Sequence, residues 1–207
     1  MKKKSILFFV LCGVLLLSAC GESGKQDPYK EVLEQADSAF KQRNYQEAFT
    51  LYQEPAEAGN AEAQFWLGHM YATGTGVERN YEQAFEWAEK AAEQNHPKAC
   101  GQLAYMYITG SYGRISNYSL AREFAEKGAE QGNELSQSIL GDIYFNGYGV
   151  EKDTQKGLEW MEKAAEQGNP TSLGNLVYVY ENGYGGVEKN PEKAAYWRKK
   201  MEAGNSK

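Results

Sequence analysis

A short motif returns along this chain at a nearly constant interval. Ala58-Gly59-Asn60, Gln94-Asn95-His96, Gln131-Gly132-Asn133, Gln167-Gly168-Asn169 and Ala203-Gly204-Asn205 are equivalent, with middle residues 36, 37, 36 and 36 positions apart. A fixed period of this length marks one supersecondary unit copied along the chain. Such a unit cannot bury its apolar side alone and must stack on its neighbours. Four full units follow from the spacing, 61–96, 97–133, 134–169 and 170–205.

Each unit has the same internal order. It begins with a helix whose apolar face carries Ala63, Leu67, Gly68 and Tyr71 in the first unit. The matching sets are Ala99, Leu103, Ala104, Tyr107; then Ser136, Leu140, Gly141, Tyr144; then Ser172, Leu176, Val177, Tyr180. Steps of four, one and three residues place all four on one helical side. A glycine inside a helix costs about 1 kcal/mol relative to alanine, so Gly68 and Gly141 call for a neighbouring helix too close to admit a side chain. A glycine turn follows, Gly74-Thr75-Gly76-Val77, Gly147-Tyr148-Gly149-Val150 or Gly183-Tyr184-Gly185-Gly186-Val187, with the valine returning to the core. Asn80, Asn117, Asp153 and Asn190 then open a second helix by accepting from its free N–H groups. That helix carries an aromatic residue and a lysine three positions on: Trp87 and Lys90, Phe124 and Lys127, Trp160 and Lys163, Trp197 and Lys200. Gly132, Gly168 and Gly204 are expected to end these helices. The second unit departs from the pattern at Gly110-Ser111-Tyr112-Gly113-Arg114-Ile115. The fourth has one extra turn residue, with a shortened second helix expected after it.

With leucine-glycine, tyrosine, glycine turn, tryptophan and lysine-alanine-alanine recurring in register, residues 61–205 resemble the Sel-1-like repeat, a branch of the tetratricopeptide-type solenoids. The resemblance implies an all-α fold, a right-handed superhelical α/α solenoid of about five antiparallel helix pairs. Residues 29–60, with Ala36, Phe40, Asn44-Tyr45 and Ala48, are more like an ordinary tetratricopeptide hairpin turning near Arg43. They suit an N-terminal cap, since end units of a solenoid are atypical.

The first residues carry a separate message. Lys2, Lys3 and Lys4 precede an apolar run from Ile6 to Leu17, which is too short to span a bilayer and has the layout of an export signal. Leu17-Ser18-Ala19-Cys20 resembles the lipobox of bacterial lipoproteins, which implies removal of residues 1–19 and acylation (palmitate among the chains) of Cys20. Residues 20–28 then form a polar tether. No Asp follows Cys20 directly, which resembles sorting to the outer membrane, facing the periplasm, if the cell has two membranes. Loss of residues 1–19 removes three lysines and no acid, moving the formal charge from −6 to −9. An acidic surface disfavours nucleic acid, whose binding rests on neutralising phosphates. Cys100 is left as the lone thiol, so no internal disulfide can form.

No catalytic set and no cofactor motif emerges. His69, His96 and one thiol fall short of the three or four ligands a zinc site needs. The glutamates follow the polar faces of helices, and Gly147-Tyr148-Gly149 lacks the preceding strand of a nucleotide loop. Some cysteine-rich members of this repeat class have been linked to β-lactam hydrolysis, but their paired-cysteine hairpins are missing here. The favoured reading is a monomeric, membrane-tethered scaffold that holds a protein or peptide partner. The alternative is a cell-envelope hydrolase acting on peptidoglycan or a β-lactam.

In tetratricopeptide-like units the first helix lines the concave groove. Carrying that over makes Phe65 and His69, Tyr105 and Ile108, Asp142 and Phe145, Tyr178 and Glu181 the candidate partner contacts. Thr73, Gly101, Ser138 and Gly174 fill out the row. Phe65, Tyr105, Phe145 and Tyr178 would form an aromatic stripe suited to a peptide, or would fill the gaps between adjacent hairpins. The two uses are balanced on sequence alone. Gly101 and Gly174 mark points where a partner backbone could approach.

Overall fold

A computed structural model describes residues 28–113 and 115–205. Among them are ten α-helices and no strand: α1 (Lys30–Lys41), α2 (Tyr45–Glu57), α3 (Ala61–Thr73), α4 (Tyr81–Glu93), α5 (Pro97–Thr109), α6 (Tyr118–Glu130), α7 (Glu134–Asn146), α8 (Thr154–Glu166), α9 (Pro170–Asn182) and α10 (Pro191–Asn205). A 3-10 turn at Tyr184–Gly186 precedes α10. Helices pair in order, and each pair packs on the next to give the expected solenoid. Lipidation at Cys20, and the signal and tether around it, lie outside the described residues.

Every helix from α3 to α9 has 13 residues, because the same start and stop signals recur. The expected caps of the second helices are in place: Asn80 accepts from Gln83 N, Asn117 from Leu120 N, Asp153 from Lys156 N and Asn190 from Lys193 N, at 2.9 to 3.1 Å. The recurring motif at each unit boundary has a second use, as the cap of the next first helix. Asn60, Asn133 and Asn169 accept from Ala63 N, Ser136 N and Ser172 N. His96 takes the same slot through Nδ1, which accepts from Ala99 N at 3.3 Å. The preceding position turns the chain with positive φ, at Gly59, Asn95, Gly132 and Gly168. Gly204 departs from the expectation. The last helix runs through it to Asn205, and at 15 residues is longer than its counterparts rather than shorter.

Close approach between paired helices explains the buried glycines. A Cβ on Gly68 would stand 3.1 Å from Ala84 O and Ala88 N of α4. One on Gly141 would stand 3.0 Å from Met161 N of α8, and one on Gly157 only 2.6 Å from Phe145 N of α7. The interior is accordingly divided into four apolar clusters strung along the stack, each shared by successive hairpins. Leu67, Leu103, Leu140 and Leu176 recur in them as almost fully buried side chains. Val77, Val150 and Val187 return from their turns to pack against these clusters. Ile115, after the altered turn of the second unit, instead stands 89% exposed.

The aromatic-lysine pairs become cation–π contacts on the second helices. Lys90 Nζ lies 4.0 Å from the Trp87 ring centre, Lys163 3.8 Å from Trp160 and Lys127 5.1 Å from Phe124. Each exposed contact of this kind is worth about 0.5–1 kcal/mol. Glutamines at the ends of the second helices tie units together. Gln94 Nε2 donates to Gln64 Oε1, Gln167 Nε2 to Gln137 Oε1 and Gln131 Nε2 to Asn95 O, each at 2.8 Å.

Candidate functional site: a cleft on the first-helix face

Helices α5, α7 and α9 present one side of each to a shared cleft. At its centre lies Asp142, one turn before the C-terminal end of α7. Two adjoining hollows, of about 290 and 350 Å³, meet at Asp142 and Asn146. Phe145, Asn175, Tyr178 and Tyr184 wall the first, and Tyr105, Ile108, Ser138 and Tyr148 the second. Side chains bridge the helices beneath: Ser172 Oγ donates to Ser138 Oγ at 2.8 Å, and Asn175 Nδ2 donates to Asp142 Oδ1 at 3.1 Å. Asn146 Nδ2 donates back to Asp142 O at 3.0 Å, holding that side chain at the rim of the cleft.

The expected aromatic stripe divides in two. Tyr105 and Tyr178, in equivalent register positions, are 43% and 54% exposed and leave ring surface open. Phe65 and Phe145 are only 9% and 3% exposed and are packing residues. Phe65 stacks on His96 at 5.1 Å between ring centres. Phe145 lies beneath the Tyr184 ring at 6.1 Å and under Gly185, where a Cβ would come within 2.5 Å of its ring. It lends the cleft floor rather than free surface. Ile108 is half-buried and lines the second hollow. Glu181 lies away from the cleft lining and pairs with Arg198 of α10.

His69, in register with Tyr105, Asp142 and Tyr178, is half-buried beside Trp66 and Phe65. Burial holds its imidazole below the usual histidine range. Thr73 is one position out of register with Ile108, and its hydroxyl turns back to donate to His69 O. Gly101 offers no approach to a partner, because Asn133 Oδ1 and Ser136 Oγ fill the space above it. Gly174 has nothing within 4 Å of a Cβ.

Asn146, Asn175, Tyr148 and Tyr184 belong to the cleft without having been singled out in the sequence. The tyrosines sit in Gly-Tyr-Gly turns, whose repetition was the available signal. Asn146 follows a repeated pattern, since Thr73, Thr109 and Asn182 hold the same position and also donate to the carbonyl four residues back, whereas Asn175 stands where the other units have Trp66, Gln102 and Ile139, so the repeat gives no signal for it.

Electrostatics separate Asp142 from the other acids. Burial pushes its carboxyl up to about 6, against the opposing effect of the Asn175 hydrogen bond. Glu62, at the other end of the row, is held low chiefly by its bond to His96 Nε2 at 2.8 Å, aided by Lys98. The cap at Ala99 N needs the Nδ1 lone pair of His96, so Nε2 carries the proton and donates to Glu62. Cys100 is fully buried, and burial raises its thiol. No group of three His, Cys, Asp or Glu among the described residues is arranged to hold a metal ion.

Comparison with known proteins agrees with this geometry. No curated protein is significantly similar. Among solved structures, a protective antigen present in uropathogenic Escherichia coli strains and displaying an SLR fold is 35% identical over 84% of this chain, with a TM-score of 0.72. This chain spans 38% of that protein. A Sel1 repeat protein from Oxalobacter formigenes is 30% identical, with 83% of this chain and 68% of that one covered and a TM-score of 0.71. A sel1 repeat protein from Klebsiella pneumoniae is 25% identical, with 75% and 73% covered and a TM-score of 0.59. The Sel1 repeat model matches residues 37–60, 61–96, 97–133, 135–169 and 172–201, so it includes most of the first hairpin as well as the four units found by spacing. Repeat period, helix-pair architecture and matched residues together make the chain a member of the Sel1 repeat family.

Proposed function

We propose that this chain is a lipid-anchored envelope protein that holds a protein or peptide partner in the cleft between α5, α7 and α9. The observation that carries the reading is the pair of exposed tyrosines, Tyr105 and Tyr178, on either side of a hollow the chain leaves open. Large rings at the surface bind strongly for little loss of side-chain freedom, which suits capture of an extended segment. The lipobox-like Leu17-Ser18-Ala19-Cys20 supports attachment to the membrane, and the similar protective antigen of uropathogenic Escherichia coli fits an exported setting. The hydrolase alternative gains no support from the cleft, whose lining holds one carboxylate and no histidine or cysteine.

Two experiments test the reading. Cys20→Ala should move the protein from the membrane to the soluble fraction. A photocrosslinking residue at position 105 or 178, in intact cells, should give the same discrete adduct. A probe at position 89, on the second helix of the first unit and outside the cleft lining, should not. Adducts from position 89 alone would reject the cleft as the binding surface, and membrane retention of the Cys20 variant would reject the lipid anchor.

A further inference from the structure

Asp142 has a fixed partner for one oxygen only. Asn175 occupies Oδ1, and Asp142 takes part in none of the ion pairs among the described residues. No lysine, arginine or histidine lines either hollow. The other titratable side chains that line the cleft around Asp142 are the tyrosines Tyr105, Tyr148, Tyr178 and Tyr184. Elsewhere the chain places its own cations over its rings, as at Trp87 and Trp160. Among the described residues, no cation lies over Tyr105, Tyr178 or Tyr184.

Lys152 lies 5.7 Å from the ring centre of Phe145 on the cleft floor, but its ammonium donates to Gly185 O and forms no ion pair with Asp142. A carboxylate without a counter-ion, set between the exposed rings of Tyr105 and Tyr178, is the chemical complement of an ammonium or guanidinium group. The charge attracts it directly, the ring faces attract it through their quadrupoles, and both gain strength where water is thinned. An anion would meet the carboxylate. A metal ion would find a single charged ligand where it needs several. The chain carries a formal charge of −6, which favours the approach of basic partners.

We propose that Asp142, held by Asn175 where the two hollows meet, receives one lysine or arginine side chain of an extended partner segment, with Tyr105 and Tyr178 flanking it. This rests on the cleft being the partner-binding surface. It adds the chemical class of the partner. The raised carboxyl is the cost of leaving that charge unpaired, and an arriving cation would relieve it. Asn146, at the rim of both hollows, offers an amide to the partner's main chain.

The test uses the purified, isotopically labelled protein near neutral pH and low salt. Blocked pentapeptides of alanine carry lysine, arginine, norleucine or glutamate at the centre, and the Asn175 and Asn146 side-chain amides are followed by NMR. The lysine and arginine peptides should bind at least about fivefold more tightly than norleucine, and the glutamate peptide most weakly. Asp142→Asn should abolish that preference while leaving norleucine binding intact, and Tyr178→Leu should weaken the lysine peptide about two- to fivefold. A smaller lysine-to-norleucine ratio, or a preference that survives Asp142→Asn, overturns the charge receptor and leaves the cleft as a peptide site. If no peptide moves any resonance of the first-helix face up to about 10 mM, weaker than any useful specific contact, both readings fall.

Discussion

Replacing Asp142 with asparagine should stabilise the protein at neutral pH and make little difference in acid. The fold moves this carboxyl from an ordinary value of 3.8 to about 6, because burial between α7 and α9 disfavours its charged form. An acid with a raised folded-state pKa binds its proton more tightly when folded. Between about pH 4 and pH 6 the folded chain therefore holds more protons than the unfolded chain, and stability falls as pH climbs through that window. Below the window both states are protonated and nothing is lost. The displacement, about two powers of ten in proton affinity, corresponds to at most about 3 kcal/mol. The carboxylate borders an open cleft, so screening by water reduces the expected effect to about 1–2 kcal/mol. In a chain of this size that is about 3–6 °C in melting temperature.

The assay is thermal unfolding of wild type and Asp142→Asn followed by helical circular dichroism, near pH 7.5 and near pH 3.5. Asparagine keeps an oxygen for Asn175 to donate to, so the hydrogen bond is not the variable. Glu62 and Glu166, held below the usual range mainly by His96 and by Lys200, titrate in the opposite sense. The observable is therefore the difference between variant and wild type at each pH, in which their contributions cancel. A gain near neutrality that vanishes in acid supports the account. An equal gain at both pH values, or a loss at neutral pH, would refute burial of an unpaired charge as the cause.

Two further predictions concern the repeat itself. Gly157→Ala and Gly174→Ala are the same substitution in neighbouring helices, and they should act in opposite directions on the urea midpoint. At Gly157 the new Cβ meets the α7 backbone at 2.6 Å, costing about 2–3 kcal/mol. At Gly174 it meets nothing within 4 Å, and better helix propensity gains about 0.5–1 kcal/mol. Effects of the same sign would show that close approach does not decide these positions. His96→Ala should cost about 1–2 kcal/mol in thermal stability, whereas His96→Asn should recover most of it by restoring the cap used at the other boundaries. Equal losses for the two would place the contribution in the Glu62 bond instead.

Much of this fold was legible in the residue order because its rules are local and repeat. Caps at Asn80 and Asp153, the small residues at 68 and 141, and the Trp87–Lys90 and Trp160–Lys163 pairs depend on spacings of one to four residues. Each unit meets nearly the same neighbour, so a pattern found once holds along the stack. The ends and irregularities were less legible. By analogy with Gly132 and Gly168, Gly204 should stop its helix, but the helix continues through it to Asn205. Ile115 stands where valine turns inward elsewhere, but the altered loop of the second unit leaves it in water.

The sequence by itself determined that hairpins of paired helices stack, where each begins, and which face holds the leucines. It also placed Tyr105, Asp142 and Tyr178 at equivalent positions on one side of the first helices. Only the tertiary structure decided that Phe65 and Phe145 are interior while the two tyrosines are free. It alone brought Asn175 to Asp142 across 33 positions and left that carboxylate without an ion pair among the described residues. The reason is that exposure in a stacked array depends on what the next unit sets opposite a residue. At those positions the units differ from one another, and a repeat pattern carries no information about the differences.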